Sequence, residues 1–77
     1  MRFSRHAKNN MRLYGITATD VDMTITAPDR RDQEGGHLLA YRHFFRRFDD
    51  FPLKVVYVIE DEPVIVSVYP LKKSYRG

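Results

Sequence analysis

Two β-rich apolar runs, Leu53 to Ile59 and Val64 to Tyr69, are separated only by Glu60-Asp61-Glu62-Pro63. Their β-branched and aromatic side chains suit strands, and a four-residue charged connection suits a hairpin loop. With Ile59 opposite Val64, one face of the hairpin carries Leu53, Val55, Tyr57 and Ile59 together with Val64, Val66 and Val68. A face this apolar has to be covered by another layer. The other face carries Lys54, Val56, Val58, Ile65, Ser67 and Tyr69. It is the expected working surface, because it mixes a cation, a hydroxyl and a phenol over a small apolar floor.

The cover has to come from the rest of a 77-residue chain that contains no cysteine. A single core is near its lower size limit here, and neither disulfides nor thiolate metal sites can reinforce it. One domain over residues 1–77 is expected, stabilised by packing or by a partner chain. Ser4 is placed to cap a first helix in which Ala7, Met11 and Tyr14 repeat at helical spacing with Phe3 on the same side, and Gly15 stops it. Thr17 and Asp20 then have the spacing of a capping box, with Ile16 and Val21 as its hydrophobic staple. This second helix turns Val21 and Ile25 inward and ends at Pro28. A short polar strand around Asp29 to Gln33 and the turn signal Glu34-Gly35-Gly36 follow.

The segment from Leu38 to Phe48 can be read in two ways. As a helix it puts Leu38, Tyr41, Phe45 and Phe48 on one side and Arg42, His43, Arg46 and Arg47 on much of the other. As a strand it alternates Leu39, Tyr41 and His43 with Leu38, Ala40, Arg42 and Phe44. The Gly-Gly turn before it and the two β-runs after it favour a strand from about His37 to Phe44 and a loop from Phe45 to Phe51. The architecture expected is α+β: two N-terminal helices packed on an antiparallel meander of three to four strands.

The formal net charge is +3. Acidic residues gather in turns, whereas basic ones recur within the periodic segments and in a basic C-terminal tail at about 70–77, a distribution that favours an anionic partner. Ordinary solubilising charge accounts for the same pattern equally well. The basic start has no apolar region after it, and no run is long enough to span a bilayer, so a cytoplasmic protein is expected.

Phe3 to Ala7 (FSRHA), Met11, Gly15 to Thr17 (GIT), Val21 and Ala27-Pro28-Asp29, followed by Pro52 to Tyr57 (PLKVVY) and Val66 to Pro70 (VSVYP), together resemble a short bacterial domain-of-unknown-function family related to the RelE and BrnT toxins. The resemblance covers nearly the whole chain. It implies a RelE-like fold, in which helices cover one face of an antiparallel sheet, and a ribonuclease activity neutralised by a partner antitoxin. Asn10 and Tyr14 stand where the family pattern carries arginine. That departure motivates an alternative to the toxin-like reading, a degenerate relative that binds a partner protein or nucleic acid without cleaving it.

Metal-independent cleavage of RNA needs a group to activate the ribose 2′-hydroxyl, cations to hold charge on the phosphate, and a donor for the leaving oxygen. The catalytic candidates are His6, His43, Lys54 and Tyr69. Arg42, Arg46, Arg47, Lys72, Lys73 and Arg76 are the candidates for holding nucleic acid, and Tyr41 for stacking on a base. Each has a plainer reading. His6 can pack its helix on the sheet, His43 can be a half-buried strand residue, Lys54 can guard a strand edge, and the tail can simply solubilise. No cofactor is implied. Three dispersed histidines without cysteine do not suggest a metal site, and Gly35-Gly36 lacks the context of a phosphate loop. The exposed strip Val56, Val58 and Ile65 would favour a homodimer.

Overall fold

A computed structural model describes residues 1–71, as two helices lying on a five-stranded sheet. In chain order the elements are β1 (Arg2–Phe3), α1 (Arg5–Tyr14), α2 (Ala18–Thr26), β2 (Arg30–Glu34), β3 (His37–Arg42), β4 (Leu53–Ile59) and β5 (Pro63–Pro70). The strands lie in the order β1-β5-β4-β3-β2. All neighbours are antiparallel except β1, which runs parallel to β5. The sheet is therefore mixed and five-stranded rather than a three- or four-stranded antiparallel meander, and the helices follow a first strand. Two residues are too few to show a period in the sequence, so β1 had no signature.

Both helix starts form as their side chains dictate. The Ser4 hydroxyl accepts from the Ala7 N–H at 3.0 Å and donates to the Val66 carbonyl at 2.7 Å, tying the start of α1 to β5. Gly15 closes α1 with φ 68°, a left-handed conformation that glycine adopts without steric cost. In the capping box of α2, Thr17 Oγ1 accepts from the Asp20 N–H at 3.1 Å and an Asp20 carboxylate oxygen accepts from the Thr17 N–H at 2.9 Å. Ala7, Ile16 and Val21 are buried against Ala40, Leu53, Val55, Tyr57, Ile65 and Val68 of the sheet, with Phe44 completing the core.

The β4–β5 register departs from the expected pairing. Lys54 pairs with Tyr69, Val55 with Val68 and Val56 with Ser67, but Tyr57 then pairs with Ile65. Val66 is the additional residue of a β-bulge, and one inserted residue exchanges the faces of everything beyond it. Ile65, expected on the working face, is fully buried under the helices. Val64 moves to the opposite face, beside Val58. Ile59 pairs with Pro63 and is 58% exposed, so it does not join the core.

Residues 40–48 are strand and then loop. β3 ends at Arg42, Phe44 is buried in the core, and a short 3-10 turn at Phe48–Asp50 follows. Arg46, Phe48, Asp49 and Asp50 all have positive φ, an unfavourable conformation for side chains with a Cβ. The Asp50 carboxylate accepts from the Arg46 N–H at 2.9 Å, and the Phe44 and Phe48 rings meet edge-to-face at 5.8 Å. At the β2–β3 turn, Gly35 and Gly36 have φ 55° and 84°, the positive pair that a two-residue type I′ hairpin requires.

Candidate nucleic-acid interface on the helix-free face

Because α1 and α2 cover the face that carries Leu53, Val55 and Val68, strand alternation turns Lys54 and its in-register neighbours to the opposite side. Pairing across the sheet joins Arg30 to Tyr41, Tyr41 to Lys54 and Lys54 to Tyr69. One row of alternating cations and phenols thus crosses four strands. The Arg30 guanidinium carbon lies 4.5 Å from the centre of the Tyr41 ring. Lys54 Nζ lies 5.9 Å from the same ring and 5.7 Å from that of Tyr69, so the ammonium sits between two phenols. Ring quadrupoles attract cations at these distances.

Lys54 is half-buried and, among the described residues, has no carboxylate within ion-pair distance. A cation held by rings rather than by an acid keeps its full charge available to an anion. Arg30 is more exposed and lies 3.7 Å from Asp32. Tyr41 is only 6% exposed and packs with Leu39 and Leu71, so it supports the two cations rather than offering a stacking surface. Tyr69, at the end of the row, is half-buried against the same cluster. Leu71 belongs to this packing and so lies on the helix-free face.

Of the other candidates, His43 lies just past the end of β3 between Arg42 and Phe44, both turned to the helix side, which leaves His43 on the row's side. Its N–H donates to the Asp29 carboxylate at 2.7 Å, and Nε2 lies 3.4 Å from Asp50 Oδ1. His43, Lys54 and Tyr69 therefore share one face near one end of the sheet. His6 does not join them: it is exposed on α1, in the layer behind the sheet. Arg46 is exposed beside Phe45, its guanidinium carbon 5.4 Å from that ring, and Phe45 is itself 77% exposed.

The two remaining candidate arginines among the described residues serve the fold. Arg42 lies on the helix side, where Nη1 donates to the Ala27 carbonyl at 2.6 Å while Nε is buried without a hydrogen-bond partner. Arg47 grips Asp20 with both ends of its guanidinium at 2.7 Å and lies 4.7 Å over the Phe48 ring. Burial alone would raise the Asp20 carboxyl. The Arg47 fork and the Thr17 donors outweigh burial and hold it below the ordinary carboxylate range, while Asp20 raises Arg47 in return. Lys72, Lys73 and Arg76 lie outside the described residues.

Arg30 is the site residue that the sequence reading passed over. Its signal was present in the Gly35-Gly36 turn: a two-residue hairpin pairs Glu34 with His37, and counting back pairs Arg30 with Tyr41. Among the described residues no group of three or more His, Cys, Asp or Glu side chains is arranged to hold a metal ion, and no helix is long and apolar enough to cross a membrane.

A family model described as a domain of unknown function, DUF4258, matches residues 3–70. The chain belongs to this family. The matched span runs from β1 to the end of β5 and includes the whole row of DUF4258 residues Arg30, Tyr41, Lys54 and Tyr69. No curated protein and no solved structure matches the chain.

Proposed function

We propose that this DUF4258 chain acts on RNA as a RelE-like toxin, a metal-independent endoribonuclease of the cytoplasm that a partner antitoxin neutralises. The observation that carries the reading is Lys54: a half-buried ammonium between two phenols, without an acidic partner among the described residues, on the helix-free face. Such a group binds a phosphate at little cost, since no existing ion pair has to be broken. In the reaction proposed, His43 takes the proton of a ribose 2′-hydroxyl and the 2′-oxygen attacks the adjacent phosphorus. Lys54 holds the charge that develops on the non-bridging oxygens. The bond to the 5′-oxygen breaks, Tyr69 supplies that oxygen's proton, and a 2′,3′-cyclic phosphate remains on the upstream fragment.

The test is incubation of end-labelled RNA, free and on ribosomes, with wild-type protein and with Lys54→Ala, Tyr69→Ala and His43→Ala. Cleavage by the wild type that each substitution lowers at least tenfold is the expected result. No cleavage by the wild type in either setting defeats the enzymatic reading.

A second reading, a non-cleaving binder of RNA or of a partner protein, possessing the same face and self-associating through Val56 and Val58, has its own support. His6 lies behind the sheet, and His43 faces Asp50 rather than Lys54. Salt-sensitive RNA binding without turnover distinguishes it.

A further inference from the structure

We infer that the site takes single-stranded RNA running across the strands from β5 towards β2, with one phosphate on Lys54, a second on Arg30, and an unstacked base on Tyr69. The inference rests on the RNA reading above and adds a direction, a second phosphate contact and a strandedness to it. Arg30 and Lys54 sit on β2 and β4 with one strand between them, so their backbones are about 10 Å apart at ordinary strand spacing. The same Tyr41 ring lies between them and carries both cations, Arg30 at 4.5 Å and Lys54 at 5.9 Å. Because Tyr41 is buried, the two charges are held side by side on one rigid support instead of projecting on free stems.

Two like charges fixed on one ring are complementary to two successive anions, and the row's direction sets the course of the chain that bears them. Tyr69, at the β5 end, is half-buried where Tyr41 is buried, and so is the phenol of the row open to a base. A base can lie on it only when out of a helical stack, which excludes a continuous duplex. Arg30 is held loosely by Asp32 at 3.7 Å, a pair exposed on both sides, so a phosphate can displace the carboxylate.

The experiment is a salt titration of binding to a fluorescently labelled 12-nucleotide RNA, single-stranded and as a duplex. It compares wild type with Arg30→Ala, Lys54→Ala, the double variant, and Arg12→Ala as a charge-matched control on exposed α1. Circular dichroism establishes that each variant folds, and Arg30→Lys keeps the charge should the alanine variant fail. Expected is a fall of about 0.7 in the slope of log K against log salt for Arg30→Ala and for Lys54→Ala, about 1.4 for the double variant, and no fall for Arg12→Ala or Arg30→Lys. The single strand is expected to bind at least tenfold more tightly than the duplex. An unchanged slope in Arg30→Ala with a reduced one in Lys54→Ala overturns the inference and leaves the Lys54 site standing. Equal affinity for the duplex overturns the strandedness. No salt-dependent RNA binding by the wild type overturns the RNA reading and this inference together.

Discussion

Removing the Arg47 guanidinium, as in Arg47→Ala, is expected to destabilise the domain without touching the helix-free face. Asp20 is 4% exposed, and Arg47 holds both of its carboxylate oxygens at 2.7 Å. Truncation leaves a buried carboxylate whose remaining partner is the Thr17 N–H at 2.9 Å. Breaking a fully buried pair costs about 3–5 kcal/mol. The Arg47 side chain is 42% exposed, so water recovers part of that loss, and about 2–3 kcal/mol is the working figure. For a domain of this size that corresponds to a fall of about 10–20 °C in Tm. Urea denaturation followed by circular dichroism measures it, with Arg46→Ala, a neighbour with no carboxylate partner for its guanidinium among the described residues, expected within about 0.5 kcal/mol of wild type. The pH dependence supplies a second readout. Because the folded Asp20 carboxyl is held low, its stabilisation is complete above the unfolded value of about 4 and is lost as pH falls through the folded value. Wild type should therefore weaken below about pH 4 more steeply than Arg47→Ala. Equal stability of Arg47→Ala and Arg46→Ala at pH 7 refutes the reasoning.

The shifted register is tested by Ile65→Ala, which should cost about 2–5 kcal/mol because the side chain is fully buried, whereas Ile59→Ala should cost under about 0.5 kcal/mol. Chemical denaturation reads both. Tyr41→Phe keeps the ring that supports Arg30 and Lys54 and should bind RNA within about twofold of wild type; Tyr41→Leu loses it and should bind about 2–5-fold more weakly by fluorescence anisotropy.

Much of the fold could be read directly because its instructions are local. Ser4, Gly15, the Thr17–Asp20 box and the Gly35-Gly36 turn each act on a few neighbouring residues, and each forms the cap or turn its chemistry requires. What escaped was non-local. A bulge at Val66 is a property of two strands together, and no feature of either run alone distinguishes Ile65 from Val64 as the buried residue. The same limit divided the site. Residues 40–48 (AYRHFFRRF) present their arginines as one basic block, but alternation along β3 and the positive-φ loop separate them. Arg42 donates to the Ala27 carbonyl at the end of α2, Arg47 closes on Asp20, and the Arg46 guanidinium has no carboxylate partner among the described residues. Lys54 and Tyr69 were legible from their strand faces, whereas Arg30 joins them only through the register of two further strands.

In the proposed function, RNA meets this protein at the row Arg30, Tyr41, Lys54 and Tyr69. Nuclear magnetic resonance titration of the isotopically labelled chain with a short single-stranded RNA tests it most directly. Shift changes concentrated at Arg30, Lys54, Tyr69 and His43 are expected, with α1 and α2 unmoved. Changes confined to the helices, or none at saturating RNA, contradict it.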